Sequence, residues 1–560
     1  MSFNGPSVHI SKLSLVYSAL SALNLITTPL SAYVSEDLPW LVPLSSLVYD
    51  PMDVFTANMT NYFQHLYNND TFPYAHANIF LSAPSTSTFD IRFPLQLPLV
   101  SVPDCLVTLL QFPMHLFYSQ GMRDFVCTFL ALNDTARRAT TTTPASVCYH
   151  NNMLGLPLID GCLWVTPLPN RSESYVADLA SHTRPGPVYA WFKLTFRIAL
   201  TVYIMRVVWM LYYVHYRQLT TNLRGYSVRN QDGARVFHKL VVYLGDPTYF
   251  VLSHPMVSLV MVVDFWLSAV NIYVAMGQVS QVTEFWTFAR GCFYGSRAVW
   301  LAYFTMRCAS MVVKRWHWEH KVVSVDPAIV GIAVLLYVGP VVYLISSTRL
   351  SDMFYAFWVV LVPAADQNST IEAFLGVLCA VLLVGSFPLG YAITMAWFET
   401  RRPQVDKQPH SLYAASGYND LKLKIVWLAI SLFEKPHLHH HHGATTVTKP
   451  PESTGGTMHR LFHDNPRYKK LPLFSLRAAD CFVVCYNADG NVGMTLRLSL
   501  LSGLDRCDTD KDLVIRQCPA DHAMSVGVID GCPCKNTSLK PGEAKARWLH
   551  QGASKCQWVL

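Results

Sequence analysis

Ionisable residues inside long apolar runs are the first candidates for function in this sequence. Asp264 follows Tyr249 by 15 residues, and Arg297 precedes Val312 by 15 residues. In helices of opposite direction, both side chains then lie about 22 Å from the same end. Because ionisable groups at membrane depth are costly and usually face the protein interior or water, we predict an Asp264–Arg297 ion pair. It is either a structural clamp or part of a polar pathway or of a voltage- or proton-sensitive element.

Further cations lie in the same apolar runs. Those expected at membrane depth are Arg197, Arg206 and Arg290, whereas Lys193 lies near a predicted helix end and is expected to extend toward the interface. Voltage-sensing helices repeat arginine every third residue, but the steps here are seven and ten residues, from Arg290 to Arg297 to Arg307. This spacing argues against a voltage sensor.

Cysteines and glycosylation motifs gather in residues 34–187. An even number of cysteines in an oxidising compartment indicates disulfides. Four cysteines allow three pairings, and the sequence does not choose among them. The disulfide candidates are Cys105, Cys127, Cys148 and Cys162. The expected glycosylated asparagines are Asn58, Asn69, Asn133, Asn170 and Asn368.

The C-terminal region is also rich in cysteine. Zinc ligands favour a regular C-x2-C spacing, which this region lacks, so zinc is only a weak expectation and we assign no metal. The weak candidates are Cys481, Cys485, Cys518, His522, Cys532 and Cys534. Because the sequence shows no paired-carboxylate or Ser/His/Asp constellation, we expect neither an enzyme nor a cofactor.

Composition indicates which elements must position these residues. The chain is 51% hydrophobic and 14% charged, against roughly 25% charged in soluble domains. Runs of about 20 apolar residues predict transmembrane helices, and six are found, at 13–33, 189–214, 249–276, 285–313, 328–347 and 371–398. The predicted fold is an α-helical polytopic membrane protein with about six transmembrane helices, an α+β or β-rich extracytoplasmic domain and a small mixed cytosolic C-terminal domain.

Five regions follow from these segments. They are 1–33, an N-terminal tail with the first helix or a signal peptide cleaved near Ser31-Ala32; 34–187, the extracytoplasmic domain; 188–398, a five-helix bundle with a short apolar segment at 351–363; 399–457, an amphipathic helix and a His/Thr/Pro-rich linker; and 458–560, a Cys-rich cytosolic domain. Lys and Arg in the short loops predict cytosolic termini.

Local patterns add three details. Gly291 and Gly295 form a G-x-x-x-G motif that lets another helix approach closely. Residues 481–487 and 494–501 alternate like two strands around a turn. Residues 105–112 are also expected to be strand-like.

The layout of one span, an outer domain and five further spans resembles polycystin- and mucolipin-type cation channels over about residues 10–400. The resemblance is one of architecture, because the acidic, glycine-containing filter is missing; only Asp366, after Val362-Pro363, offers a carboxylate to a cation. It implies a channel or transporter as the alternative function.

The preferred expectation is a receptor-like or scaffold protein of the secretory pathway, in the plasma membrane or an endomembrane. Its expected partners are the lipid bilayer, an extracellular ligand or protein, and a cytosolic protein. Nucleic acid is excluded, because no basic block with interleaved aromatic residues occurs. The sequence leaves the oligomeric state open.

Overall fold

The computed structural model describes most of the chain in separate stretches. These are residues 7–43, 52–68, 78–109, 111–112, 114, 118, 120–139, 145–153, 156–168, 173–225, 237–346, 370–372, 374–401, 452–505, 513–517, 547–551 and 556–559.

Fourteen strands occur in the described residues. In chain order they are β1 Ser7–Ile10, β2 Ile79–Ala83, β3 Thr88–Gln96, β4 Ala145–Met153, β5 Leu156–Pro167, β6 Ser174–Thr183, β7 Lys239–Tyr243, β8 Thr370–Glu372, β9 Glu452–Gly455, β10 Cys481–Tyr486, β11 Val492–Leu500, β12 Leu513–Gln517, β13 Arg547–Gln551 and β14 Trp558–Val559.

The α-helices carry most of the apolar sequence. They are α1 Lys12–Thr27, α2 Met52–Leu66, α3 Cys105–Leu109, α4 Gln120–Ala131, α5 Asp134–Ala139, α6 Pro187–Val208, α7 Val214–Gly225, α8 Thr248–Leu252, α9 Pro255–Leu267, α10 Ala269–Val279, α11 Phe285–Gly295, α12 Val299–Arg315, α13 Pro327–Ser346, α14 Phe374–Arg401 and α15 Thr457–Asp464.

A six-stranded sheet forms the region expected to be extracytoplasmic. Its order is β2-β3-β6-β5-β4-β8, antiparallel except for β8, which runs parallel to β4. Strand alternation places Trp164 on the face covered by α2, and Leu163 and Val165 on the opposite face. Both faces are therefore buried, and the sheet lies inside its domain.

An eight-stranded sheet draws its strands from the beginning, middle and end of the chain. Strand β1 is parallel to β7, β7 is antiparallel to β10, and β10 forms a hairpin with β11. Strand β9 also pairs with β11, and β14, β13 and β12 complete the order. The predicted hairpin is confirmed, since Cys481 pairs with Leu498 and Cys485 with Met494.

The first segment of the chain is integrated into this fold. Strand β1 pairs along its whole length with β7, and the Ser14 hydroxyl accepts a hydrogen bond from the Leu244 amide. Cleavage near Ser31-Ala32 would remove both contacts.

The prediction of an α-helical polytopic protein with about six transmembrane helices is wrong. Among the described residues, one helix is long and apolar enough to cross a membrane, Pro187–Arg224, or two if α9 and α10, bent by 73°, count as one span. Helix α1 has only 16 residues, and the run 285–313 is interrupted by the 3-10 turn Ser296–Ala298. The fold is instead mixed α/β, with two sheets connected by helices.

Two smaller expectations also change. Residues Cys105–Leu109 form helix α3 and not a strand, because an apolar run this short is compatible with either. The linker expected to reach residue 457 ends earlier, at β9. The short apolar segment 351–363 and the amphipathic helix near 421–433 lie outside the described residues.

The G-x-x-x-G glycines differ in how closely they are packed. A Cβ added at Gly291 would lie 2.8 Å from the Ala275 carbonyl oxygen of α10, too close for a real contact, whereas one at Gly295 would lie 3.6 Å from Val338 Cγ1, an ordinary contact. Only Gly291 thus sets a close approach of two helices.

We expect Gly291→Ala to lower the free energy of unfolding by about 1–3 kcal/mol, since α10 backbone must move. The matched Gly295→Ala variant adds the same methyl group in the same motif and should leave the free energy of unfolding nearly unchanged. Thermal unfolding of the purified full chain measures both. Equal effects of the two variants would show that the close approach of α10 to Gly291 does not determine the cost of the added methyl group.

Candidate functional site

Five buried charged side chains from four chain segments meet between the helices. We call them the ion cluster: Glu36, Lys193, Arg197, Asp264 and Arg297. Asp264 and Arg297, the pair chosen from the sequence, are joined directly, Arg297 Nη2 to Asp264 Oδ2. Arg197 joins them, whereas Arg206 and Arg290 are exposed and do not belong to the cluster.

Local structure presents each of these side chains. Lys193 and Arg197 are four residues apart on α6 and so share one helical face. Asp264 lies one turn before the break between α9 and α10, where the Ser268 hydroxyl donates to the Asp264 carbonyl at 2.7 Å. Arg297 lies in the 3-10 turn between α11 and α12. Both helix interruptions therefore lie at the cluster.

Arg197 is the centre of the cluster. Its Nη1 and Nη2 donate to the two carboxylate oxygens of Glu36 at 2.8 and 2.7 Å, and its Nε donates to Asp264 Oδ1 at 2.8 Å. Its Nη2 also donates to the Ser268 hydroxyl at 2.8 Å. One planar guanidinium thus binds two carboxylates, a geometry that lysine cannot reproduce.

The remaining contacts surround Glu36. Lys193 Nζ donates to Glu36 Oε2 at 2.8 Å and to Asn271 Oδ1 at 3.3 Å. The Tyr294 hydroxyl donates to Glu36 Oε1 and accepts from Arg297 Nη1 at 2.9 Å. Burial alone raises the pKa of Glu36, but Lys193, Arg197 and Arg297 outweigh burial and hold that pKa below its usual range.

The cluster contains a residue that sequence reasoning missed. Glu36 was expected in the outer domain, beyond the first apolar run. Lys193 was expected to extend to the membrane–water interface, but its side chain is buried. One signal was present in the sequence. Lys193, Arg197 and Arg297 outnumber the single carboxylate Asp264, so a second carboxylate had to lie nearby.

This arrangement fixes segments in place and leaves little room for chemistry. Both carboxylates already accept from two or more cationic or hydroxyl donors. A carboxylate saturated in this way is a poor general base, because its lone pairs are occupied. The site therefore has the properties of a clamp between the N-terminal segment and three helical segments.

A second polar network contains serine, histidine and aspartate. Asp480 Oδ2 lies 2.7 Å from His459 Nε2 and accepts from Arg497 Nε at 2.6 Å, while Oδ1 accepts from the Ser499 hydroxyl at 2.8 Å. In a hydrolytic triad the serine donates to the histidine and the aspartate binds the other ring nitrogen. Here the Ser499 hydroxyl, at 3.4 Å, and Asp480 both approach the same ring nitrogen of His459, Nε2. The arrangement therefore differs from a hydrolytic triad, and the network ties α15 to β11.

The outer sheet contains a buried carboxyl beside an ion pair. Arg92 Nε donates to Asp178 Oδ1 at 2.6 Å across β3 and β6. Asp90, on the same face of β3, is fully buried, and neither of its oxygens has a side-chain hydrogen-bond partner among the described residues. Burial, and then the charge of Asp178, raises the pKa of Asp90 well above its ordinary value.

The cysteines separate into two groups. The structure forms two disulfides in the outer region, Cys105–Cys127 and Cys148–Cys162. By contrast, Cys481, Cys485 and Cys556 are buried, and the thiols of Cys481 and Cys485 are free.

Zinc has no support in the described residues. Burial raises the pKa of the Cys485 thiol to about 12, which disfavours a metal-binding thiolate. Within the stretches described, no three His, Cys, Asp or Glu side chains are placed to hold a metal. The other zinc candidates, Cys518, His522, Cys532 and Cys534, lie outside those stretches.

Two of the expected glycosylation sites are described. Asn58 on α2 and Asn133 before α5 are both exposed, and Asn133 Oδ1 accepts from the Ala136 amide at 2.8 Å, capping α5. Asn69, Asn170 and Asn368 lie outside the described residues, as does Asp366.

No family model, curated protein or solved structure matches this chain.

We expect Glu36→Gln to lower the free energy of unfolding by about 3–5 kcal/mol, because three buried cations lose half of their compensating charge. Asp37→Asn is the matched control, since Asp37 is the exposed neighbour and its change should cost less than about 0.5 kcal/mol. Thermal unfolding of the full chain compares them. A cost for Asp37→Asn as large as that for Glu36→Gln would contradict the clamp.

We expect Asp90→Asn to flatten the pH dependence of the outer sheet. A carboxyl whose pKa is raised by folding contributes stability that is fully present below the unfolded value, about 4, and is lost as pH rises through the folded value. Amide hydrogen exchange in β3 and β6 between about pH 4 and 8 measures this loss. The control is Asp104→Asn, which changes an exposed carboxylate and should keep the pH-dependent loss of protection. If Asp90→Asn loses protection with pH as the wild type does, Asp90 is not the group responsible.

Proposed function

We propose that this chain is a receptor-like or scaffold protein of a membrane, anchored by the helix Pro187–Arg224 and with further apolar helix surface against lipid. The observation that carries the proposal is the surface of the helices. Val188 is 83% exposed and Trp286 is 78% exposed, and comparable side chains occur on α1, α9, α12, α13 and α14. Monomeric soluble proteins rarely expose contiguous apolar surface on this scale, so lipid is its natural cover.

The sheet domains lack such a surface. In the described part of the chain, the exposed large apolar side chains of the two sheet domains are Ile10, Val54, Leu99 and Val102. Others lie after α1 (Val34, Trp40 and Leu41) or in loops between helices (Val282, Trp316 and Trp318). Most of the exposed apolar surface thus belongs to the helices between the two sheets and to their connections. Such a distribution is expected when water surrounds the sheets and lipid surrounds the helices.

One helix between the two sheets is long enough to cross a membrane. Helix α6, a π-helical turn and α7 form one helix, Pro187–Arg224. A helix of 38 residues is about 57 Å long at 1.5 Å per residue, more than the roughly 30 Å of a hydrocarbon core. This helix can therefore anchor the chain in a membrane.

The cysteines support a secretory-pathway location for the six-stranded domain. This domain contains two disulfides, and disulfides persist outside the cell or in the secretory pathway. We accordingly propose that the six-stranded domain binds an extracellular ligand or protein partner.

The ion cluster supports a scaffold over a polar pathway. A conduction or proton route needs groups that exchange partners with water or an ion. In the cluster, the carboxylates of Glu36 and Asp264 are occupied by Lys193, Arg197 and Arg297. The contacts hold helices together and leave the carboxylates no free position for a passing ion.

The test combines membrane extraction with glycan mapping in the full chain. We expect the protein to stay in the membrane pellet after alkaline carbonate washing, and Asn58 and Asn133 to carry glycans.

Release of the chain by carbonate would contradict a membrane-embedded protein. Absence of glycans from both Asn58 and Asn133 would contradict an extracellular six-stranded domain. The controls are the single variants Asn58→Gln and Asn133→Gln, each of which removes one acceptor.

A further inference from the structure

The loop between α12 and α13 combines exposed tryptophans with exposed basic side chains. We call residues 314–321 the basic loop. Its sequence is Lys-Arg-Trp-His-Trp-Glu-His-Lys, and Arg315 and Lys321 are exposed. It is the point where the chain leaves one apolar helix and enters the next.

The single acidic residue of the loop is withdrawn from its surface. Glu319 is only 4% exposed, and its Oε1 lies 3.9 Å from Lys314 Nζ. Lys314 is itself directed inward, since its Nζ lies 3.0 Å from Asp505 Oδ2 and also donates to the Arg467 carbonyl. The full charges that remain on the outer surface of the loop, Arg315 and Lys321, are therefore both positive.

The tryptophans form an exposed aromatic pair next to these charges. Trp316 is 55% exposed and Trp318 is 43% exposed, with ring centroids 5.1 Å apart. Lys321 Nζ lies 4.9 Å from the Trp318 ring centroid. Exposed indole rings are unfavourable in water but favourable at the level of lipid headgroups, where the ring is apolar and the N–H finds an acceptor.

Apolar, basic and aromatic side chains follow one another from the end of α12 into the basic loop. On the last turns of α12, Met311 and Val312 are 56% and 41% exposed, and Arg315 and Trp316 follow directly. Along a few residues the surface thus changes from apolar to basic and aromatic. An apolar surface followed by basic and aromatic side chains matches the order of acyl chains and headgroups at a membrane surface.

We propose that the basic loop binds anionic phospholipid headgroups on the membrane face beside the eight-stranded sheet. The proposal rests on the proposed function, because it needs the chain to be anchored in a membrane, at whose surface the basic loop then lies. Arg315 and Lys321 attract the phosphate and carboxylate groups, and Trp316 and Trp318 hold the loop at the depth of those groups.

The experiment measures lipid selectivity of the full-length protein reconstituted in phosphatidylcholine vesicles. Trace amounts of nitroxide-labelled phosphatidylserine or phosphatidylcholine are added, and electron paramagnetic resonance gives the fraction of each label immobilised by the protein. We expect a preference for phosphatidylserine that falls at least roughly two-fold in Arg315→Gln/Lys321→Gln, because each basic residue near an anionic surface adds to the attraction.

The matched control is Arg224→Gln/Lys239→Gln, which removes the same charge from exposed positions at the end of α7 and on β7. It should retain the wild-type preference. Equal immobilisation of both lipids by wild type, or an equal loss in both double variants, would overturn the proposal. If the wild-type chain does not reconstitute into vesicles, the proposed function itself fails, and this outcome is distinct from reconstitution without selectivity.

Discussion

The contact between Arg197 and the two carboxylates of Glu36 and Asp264 is the constraint on which the helical region depends. Three cations and two carboxylates are buried together, and each is tolerable there only because the others are present. The break at Ser268 and the 3-10 turn at Arg297 both occur where these side chains meet. Regular helix geometry is interrupted at the cluster, and the cluster joins the N-terminal segment to the segments that follow.

Elements that depend on neighbouring residues could be predicted from the sequence, whereas elements that depend on residues far apart in the chain could not. The β10–β11 hairpin was predictable, because alternation and turn residues lie next to each other in the chain. The pairing of β1 with β7 was not, since Ser7 and Lys239 are far apart in sequence and no pattern links them. Apolar run length led to six predicted spans, because hydropathy does not register a helix break such as the one at Ser268.

The same distinction applies to the ion cluster. Asp264 and Arg297 could be paired from their depths, because consecutive antiparallel helices relate depth to residue number. Glu36 could not be placed, because it follows the 3-10 turn Leu30–Val34 and its position depends on how that turn packs against α6. Charge balance indicated that a further carboxylate was required, but it did not identify which one.

The strands of the eight-stranded sheet come from distant parts of the chain, and this has a consequence for biosynthesis. Strands β1 and β7 are made early, but β7 is antiparallel to β10, which is synthesised more than 200 residues later. Until then, both strands leave the ribosome with unpaired edges, the state most prone to aggregation and chaperone binding. Completion of this sheet is therefore necessarily late, even if the six-stranded domain, whose strands β2 to β6 are contiguous, folds as soon as it is translated.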